Sequence, residues 1–136
     1  MTRFSLLALC ALALAACDSS DPAPPALAVY EAEVDTDDGP ERFRFGVATD
    51  AQVVEAEAAL AAGRVGVVHG TVARGDGGVN DGYSWHLDPA SVTFPDVAIE
   101  VCDGRPRSDV EADLDYWTET VGIYCPWGAQ IVRRVR

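Results

Sequence analysis

The stretch FRFGVATDAQVVEAEAAL, residues 43–60, changes its apolar period halfway along, and that change decides the fold class. Phe43, Phe45 and Val47 alternate with Arg44 and Gly46, the period of two that a half-buried strand requires. From Thr49 onward the spacing lengthens, and Val53, Ala56 and Leu60 recur at helical intervals. Thr49 with Gln52 three residues later fits a capping box, and Gly63 fits a helix C-cap. Strand and helix therefore alternate within one short stretch of chain.

Upstream, LAVYEAEV (residues 27–34) alternates in the same way, and DTDDGP (35–40) reads as the turn between two strands. Downstream, VGVVHGTVA (65–73) returns to strand, with Gly66 and Gly70 marking bulges or the close approach of another backbone. RGDGGVNDG (74–82) reads as a long irregular connection. YSWHL (83–87) and SVTF (91–94) read as strands, and VAIEV (97–101) as a largely buried one. CDGRP (102–106) turns the chain. Ser108 and Glu111 fit a second capping box, and Val110, Leu114, Trp117 and Val121 follow on one helical face that Gly122 ends. The tail GIYCPWGAQIVRRVR (122–136) ends in a strand bearing Arg133, Arg134 and Arg136, which on an edge would meet an anionic ligand. The expectation is a single small α+β domain over residues 27–136, mainly antiparallel sheet with two helices and one disulfide.

The first residues carry a different signal. Arg3 precedes the apolar run 4–16, which is too short to span a bilayer as a folded helix and reads as a signal peptide, residues 1–16. Leu14-Ala15-Ala16-Cys17 resembles the lipobox of bacterial lipoproteins, which implies lipidation of Cys17 and stable anchoring by more than one acyl chain. Residues 17–26 (CDSSDPAPPA) cannot bury apolar surface and read as a disordered tether. The expected location is the bacterial cell envelope, lipid-anchored and extracytoplasmic.

Loss of Cys10 with the signal and acylation of Cys17 leave Cys102 and Cys125. In an oxidising compartment two such cysteines read first as a disulfide. The rivals are metal binding, for which there is no CxxC pair and no ligand-like spacing to His69 or His86, and a cysteine nucleophile, for which His86 is the only candidate base. All ten basic residues are arginine and the net charge is −12, which argues against nucleic acid as a partner. Asp76, Asn80 and Asp81 offer hard oxygens for calcium, but neither the EF-hand order nor a repeat of calcium-binding type is present. The carboxylates of residues 109–115 scatter around a helical wheel and read as a solvated face.

His86 beside Asp88 or Glu100 would suit general acid–base work, although a lone His flanked by apolar residues on a strand is more often structural. Trp85, His86 and Trp127 are the candidate ligand surface, while large aromatics in so small a domain are usually core.

Taken in order, FRFGVATDAQVVEAEAAL, Asn80, YSWHLDP, SVTFPDVAIEVCDGRP, SDVEADLDYW and VGIYCPW resemble a small exported domain family, also found at the N-terminus of a calmodulin-binding protein and in bacterial lipoprotein relatives. The resemblance implies an α+β fold with Cys102 and Cys125 as its cystine and no established catalysis. Calmodulin binding does not follow, because calmodulin targets are basic amphipathic helices and the helices here are acidic or neutral. A weaker likeness to cystatin-type peptidase inhibitors would place Gly70 and Trp127 on one exposed wedge. The reading is therefore a membrane-anchored envelope lipoprotein with a non-enzymatic binding domain for a protein or small-molecule ligand. It needs no cofactor. A cystatin-like inhibitor or a small hydrolase using His86 stands as the alternative.

Overall fold

The computed structural model describes residues 25–63, 65–66 and 68–136, with side chains omitted for 65 and 66. The signal peptide, Cys17 and all but the end of the tether lie outside the described residues. Seven strands form two antiparallel sheets. They are β1 (Ala28–Val34), β2 (Glu41–Val47), β3 (Val65–Gly66), β4 (Gly70–Arg74), β5 (Trp85–Leu87), β6 (Ile123–Tyr124) and β7 (Ala129–Arg134). The larger sheet has the order β2-β1-β7-β3 and the smaller β5-β4-β6.

The period-two reading of the first hairpin holds in register as well as in type. Ala28, Tyr30 and Ala32 face Val47, Phe45 and Phe43 across the β1/β2 ladder, and all six are buried. The core is continuous and aromatic. Phe43 packs on Trp85 and on Tyr124, with ring centroids 5.7 and 5.4 Å apart, and Trp117 closes on Tyr124 at 5.7 Å. Edge-to-face pairs of this kind contribute beyond their buried area.

Helix α1 (Asp50–Ala62) begins as its sequence dictates. The Thr49 hydroxyl accepts from the Gln52 amide, and Gln52 Oε1 accepts from the Thr49 amide at 2.9 Å, which satisfies two otherwise orphaned donors. Gly63 ends it at φ 56°. Ala56 is buried, and Val53 and Leu60 pack on the same core. Gln52 also ties the helix to the rest of the domain, its amide donating to the carbonyls of Pro89 and Val92.

Three expectations of strand structure need correction. The stretch 65–73 is not one strand, because β3 pairs with β7 while β4 pairs with β5 and β6. Gly70 lies where a Cβ would meet Leu87 and Val92 at 3.2 and 3.4 Å, the close approach its sequence position suggests. SVTF forms no strand: the chain makes a 3-10 turn, Pro89–Ser91, capped by Asp88 and followed by one bridge between Thr93 and His69. Finally, residues 97–101 do not form a buried strand. Val97, Ile99 and Val101 are exposed, at 81%, 63% and 63%, and the chain enters a 3-10 turn, Glu100–Cys102. An apolar run looks the same whether or not a sheet accepts it, and among the described residues no strand pairs with it.

The second helical segment opens earlier than the capping-box reading places it. Pro106 takes the first position, where its missing N–H costs nothing, so Ser108 already lies inside. The Arg105 amide donates to Asp109 Oδ2 at 2.7 Å, Ser108 turns to Glu41, and Glu111 accepts from the Ser84 amide at 2.9 Å. π-Helical turns Pro106–Glu111 and Trp117–Val121 flank the helical turn Leu114–Tyr116. Val110 and Trp117 reach the core, and Gly122 ends the segment at φ 75°.

Strand β7 is interior, not an edge, and its arginines are occupied. Arg133 binds Glu31 on one face, and Arg134 binds Glu57 on α1 at 3.0 Å. Tyr30 also donates to Glu57, and burial together with that bond pushes its hydroxyl pKa up to about 12.

Candidate functional site

Cys102 and Cys125 form a disulfide with Cα atoms 5.1 Å apart. Both residues are fully buried in a small apolar cluster with Ala98, Val121 and Ile123, separate from the main core. Three hydrogen bonds hold the surrounding chain. The Cys125 amide donates to the Cys102 carbonyl at 2.8 Å, the Trp127 amide to Asp103 Oδ1 at 2.8 Å, and the Tyr124 hydroxyl to the Gly104 carbonyl at 2.8 Å. Gly104 is needed at its position, since a Cβ there would lie 2.7 Å from the Trp117 ring.

These ties bring two runs of exposed apolar side chains to one end of the molecule. Val97, Ile99 and Val101 stand on one side of the disulfide, and Trp127, 46% exposed in the turn between β6 and β7, stands on the other. Ala98 points the opposite way, into the disulfide cluster. A groove of about 360 Å³ runs along this region, lined by His69, Pro95, Val97, Ile99, Cys102 and Ile123 among others. Single exposed apolar residues are common, but a cluster on a small monomer marks an interaction surface.

The sequence-derived candidates do not converge. Trp85 is fully buried and belongs to the core, so it is not part of a ligand surface. Its indole Nε1 has no hydrogen-bond partner and its neighbours are rings, with Tyr124 and Tyr83 both edge-on at 5.3 and 5.4 Å. His86 bonds through Nδ1 to the Gly75 carbonyl at 2.7 Å and packs so tightly on Gly77 that a Cβ there would lie 2.5 Å from the ring. Asp88 is occupied as the cap of the following turn, and neither it nor Glu100 bonds to His86. Trp127 alone of the three is a surface residue.

Asp76, Asn80 and Asp81 are similarly dispersed. Asp76 accepts from the Gly78 amide, and Asp81 lies 3.4 Å from Arg44. Asn80 is buried, accepting from the Arg44 amide at 2.8 Å and donating to the Trp85 carbonyl at 3.0 Å. Its carboxamide is a strut between β2 and β5 with no oxygen turned outward. Among the described residues no group of three His, Cys, Asp or Glu side chains could hold a metal ion. Gly70, required by a cystatin-like wedge, is buried and so shares no exposed surface with Trp127.

The acidic side chains of the second helical segment are engaged. Arg105 holds the Asp109 carboxyl below the usual range although burial pushes it up, and Arg74 bridges Asp115 and Glu119. The exposed row at 97–101 is the feature that sequence reasoning missed. Its acidic neighbours, Asp96, Glu100 and Asp103, are the signal that could have shown it, since buried strands seldom carry charges at their ends and middle.

The model of one protein family, that of the N-terminal domain of a calmodulin-binding protein, matches residues 28–136. No curated protein and no solved structure matches the chain.

Proposed function

The chain belongs to the family of that N-terminal domain, and on this scaffold we propose a non-enzymatic binding module held at a bacterial envelope membrane by lipid on Cys17. One observation carries the binding reading: Val97, Ile99, Val101 and Trp127 are exposed together around a buried disulfide, while His86 and the carboxylates near it serve as local struts. An enzyme would gather titratable groups in a cleft. This domain instead holds an apolar surface in fixed geometry, which is what a recognition module needs. The lipobox-like Leu14-Ala15-Ala16-Cys17 supports the anchor.

Two experiments test the halves separately. Intact mass of membrane-extracted protein should show acyl mass on Cys17, and Cys17→Ser should move the protein to the soluble fraction; retention of the variant in membranes would refute the anchor. For binding, a photo-crosslinking residue placed at Val101 should yield adducts in cells, whereas one at Val54, similarly exposed on α1, should not. Equal yields from both positions would remove the support for a binding surface here.

A further inference from the structure

The row at residues 97–101 differs from an ordinary greasy patch in its backbone. Ile99 is extended, at φ −86° and ψ 148°, and exposure alternates, with Val97 and Ile99 outward and Ala98 inward. That is the side-chain pattern of a strand. Yet Val97 and Ala98 donate and accept no hydrogen bond within the described protein. The chain leaves its single bridge at Thr93 and regains a backbone bond only at the Ile99 carbonyl, which accepts from the Cys102 amide. Residues 97 and 98 thus present unused backbone donors and acceptors beside outward β-branched side chains. Exposed extended backbone of this kind is a template for an added strand.

The charge around it says which strand. Glu100 lies within the row and Asp103 at its end, both exposed, on a chain of net charge −12. A second copy pairing here would set Glu100 and its neighbours against like carboxylates, which disfavours cross-strand pairing. An incoming strand carrying arginine or lysine between apolar residues would instead meet both features. Resting on the binding-module reading above, we infer that residues 97–101 accept, by strand addition, an extended segment of another protein that alternates apolar with basic side chains.

The test uses full-length acylated protein in detergent and two synthetic peptides, one alternating valine with arginine and the other valine with glutamate. Amide exchange at Val97 and Ala98 should slow by about tenfold or more with the arginine peptide, and its affinity should exceed that of the glutamate peptide by at least about tenfold. Ile99→Asp, a change at an exposed side chain, should abolish the protection without lowering Tm. Peptide N-methylated on the amides that would pair should fail to bind. Equal binding of both peptides, unimpaired binding of the methylated peptide, or protection confined to other residues would each overturn strand addition. Slowed exchange at Val97 that appears on raising protein concentration alone would overturn it in favour of self-association. Protection at a different surface would leave the binding-module reading standing, whereas loss of the Val101-specific cross-links would count against that reading itself.

Discussion

Glu31 on β1 receives two hydrogen bonds, each 3.0 Å, from the guanidinium of Arg133 on β7, 102 residues away in the chain. Arg44 on β2 adds a third at 3.3 Å, so one nearly buried carboxylate joins three neighbouring strands of the larger sheet. The fork of Arg133 matches the carboxylate geometry, and its bonds hold Glu31 below the usual carboxylate range against the opposing effect of burial.

A carboxyl depressed in the folded state adds stability that is present above its unfolded pKa, about 4.3, and lost as pH falls through the lower folded value. Denaturant midpoints should therefore decline on acidification below that range. Glu31→Gln should flatten the decline and cost about 2 kcal/mol at neutral pH. An unchanged acid slope in the variant would show that another group sets it.

Replacing Cys102 and Cys125 by Ser removes a cross-link spanning 23 residues. Loop entropy puts the loss at about 3 kcal/mol, or roughly 12 °C in Tm for a domain of this size. Scanning calorimetry with and without reductant should reproduce the difference in the native protein. Amide exchange should rise first at residues 97–104, which the bridge ties down, and uniform acceleration across the sheets would contradict that local role.

Asn80→Ala leaves the buried Arg44 amide and Trp85 carbonyl without partners and should cost about 3 kcal/mol. Calcium and chelator should give the same Tm for wild-type protein, because the Asn80 oxygen is occupied. A calcium-dependent rise that Asn80→Ala abolished would reverse this assignment.

Gly104→Ala drives a methyl to within 2.7 Å of the Trp117 ring, and rigid neighbours make such overpacking cost about 1–3 kcal/mol. The change should also alter Trp117 emission and loosen the Tyr124 bond to the Gly104 carbonyl. Wild-type stability in this variant would mean that the turn relaxes freely and does not position the surface beside it.

Local chemistry is readable from local sequence. The Thr49 and Gln52 capping box, the Gly63 and Gly122 stops and the alternating β1/β2 hairpin depend on residues within a few positions of each other, so sequence by itself determined them. The pair Cys102 and Cys125 likewise points to a cross-link from cysteine usage alone. Tertiary structure decided the rest. Glu31 and Arg133 look like unrelated surface charges until β7 inserts beside β1. Asn80 resembles a metal ligand until folding buries its carboxamide, and Trp85 resembles a stacking surface until the rings of Phe43 and Tyr124 enclose it. Residues 97–101 show the same limit in reverse, since their β-branched alternation describes a strand faithfully but cannot say whether a sheet receives it. Burial and pairing are properties of the assembled chain, set by contacts whose partners lie tens of residues apart, and for that reason the exposed apolar surface becomes visible only in three dimensions.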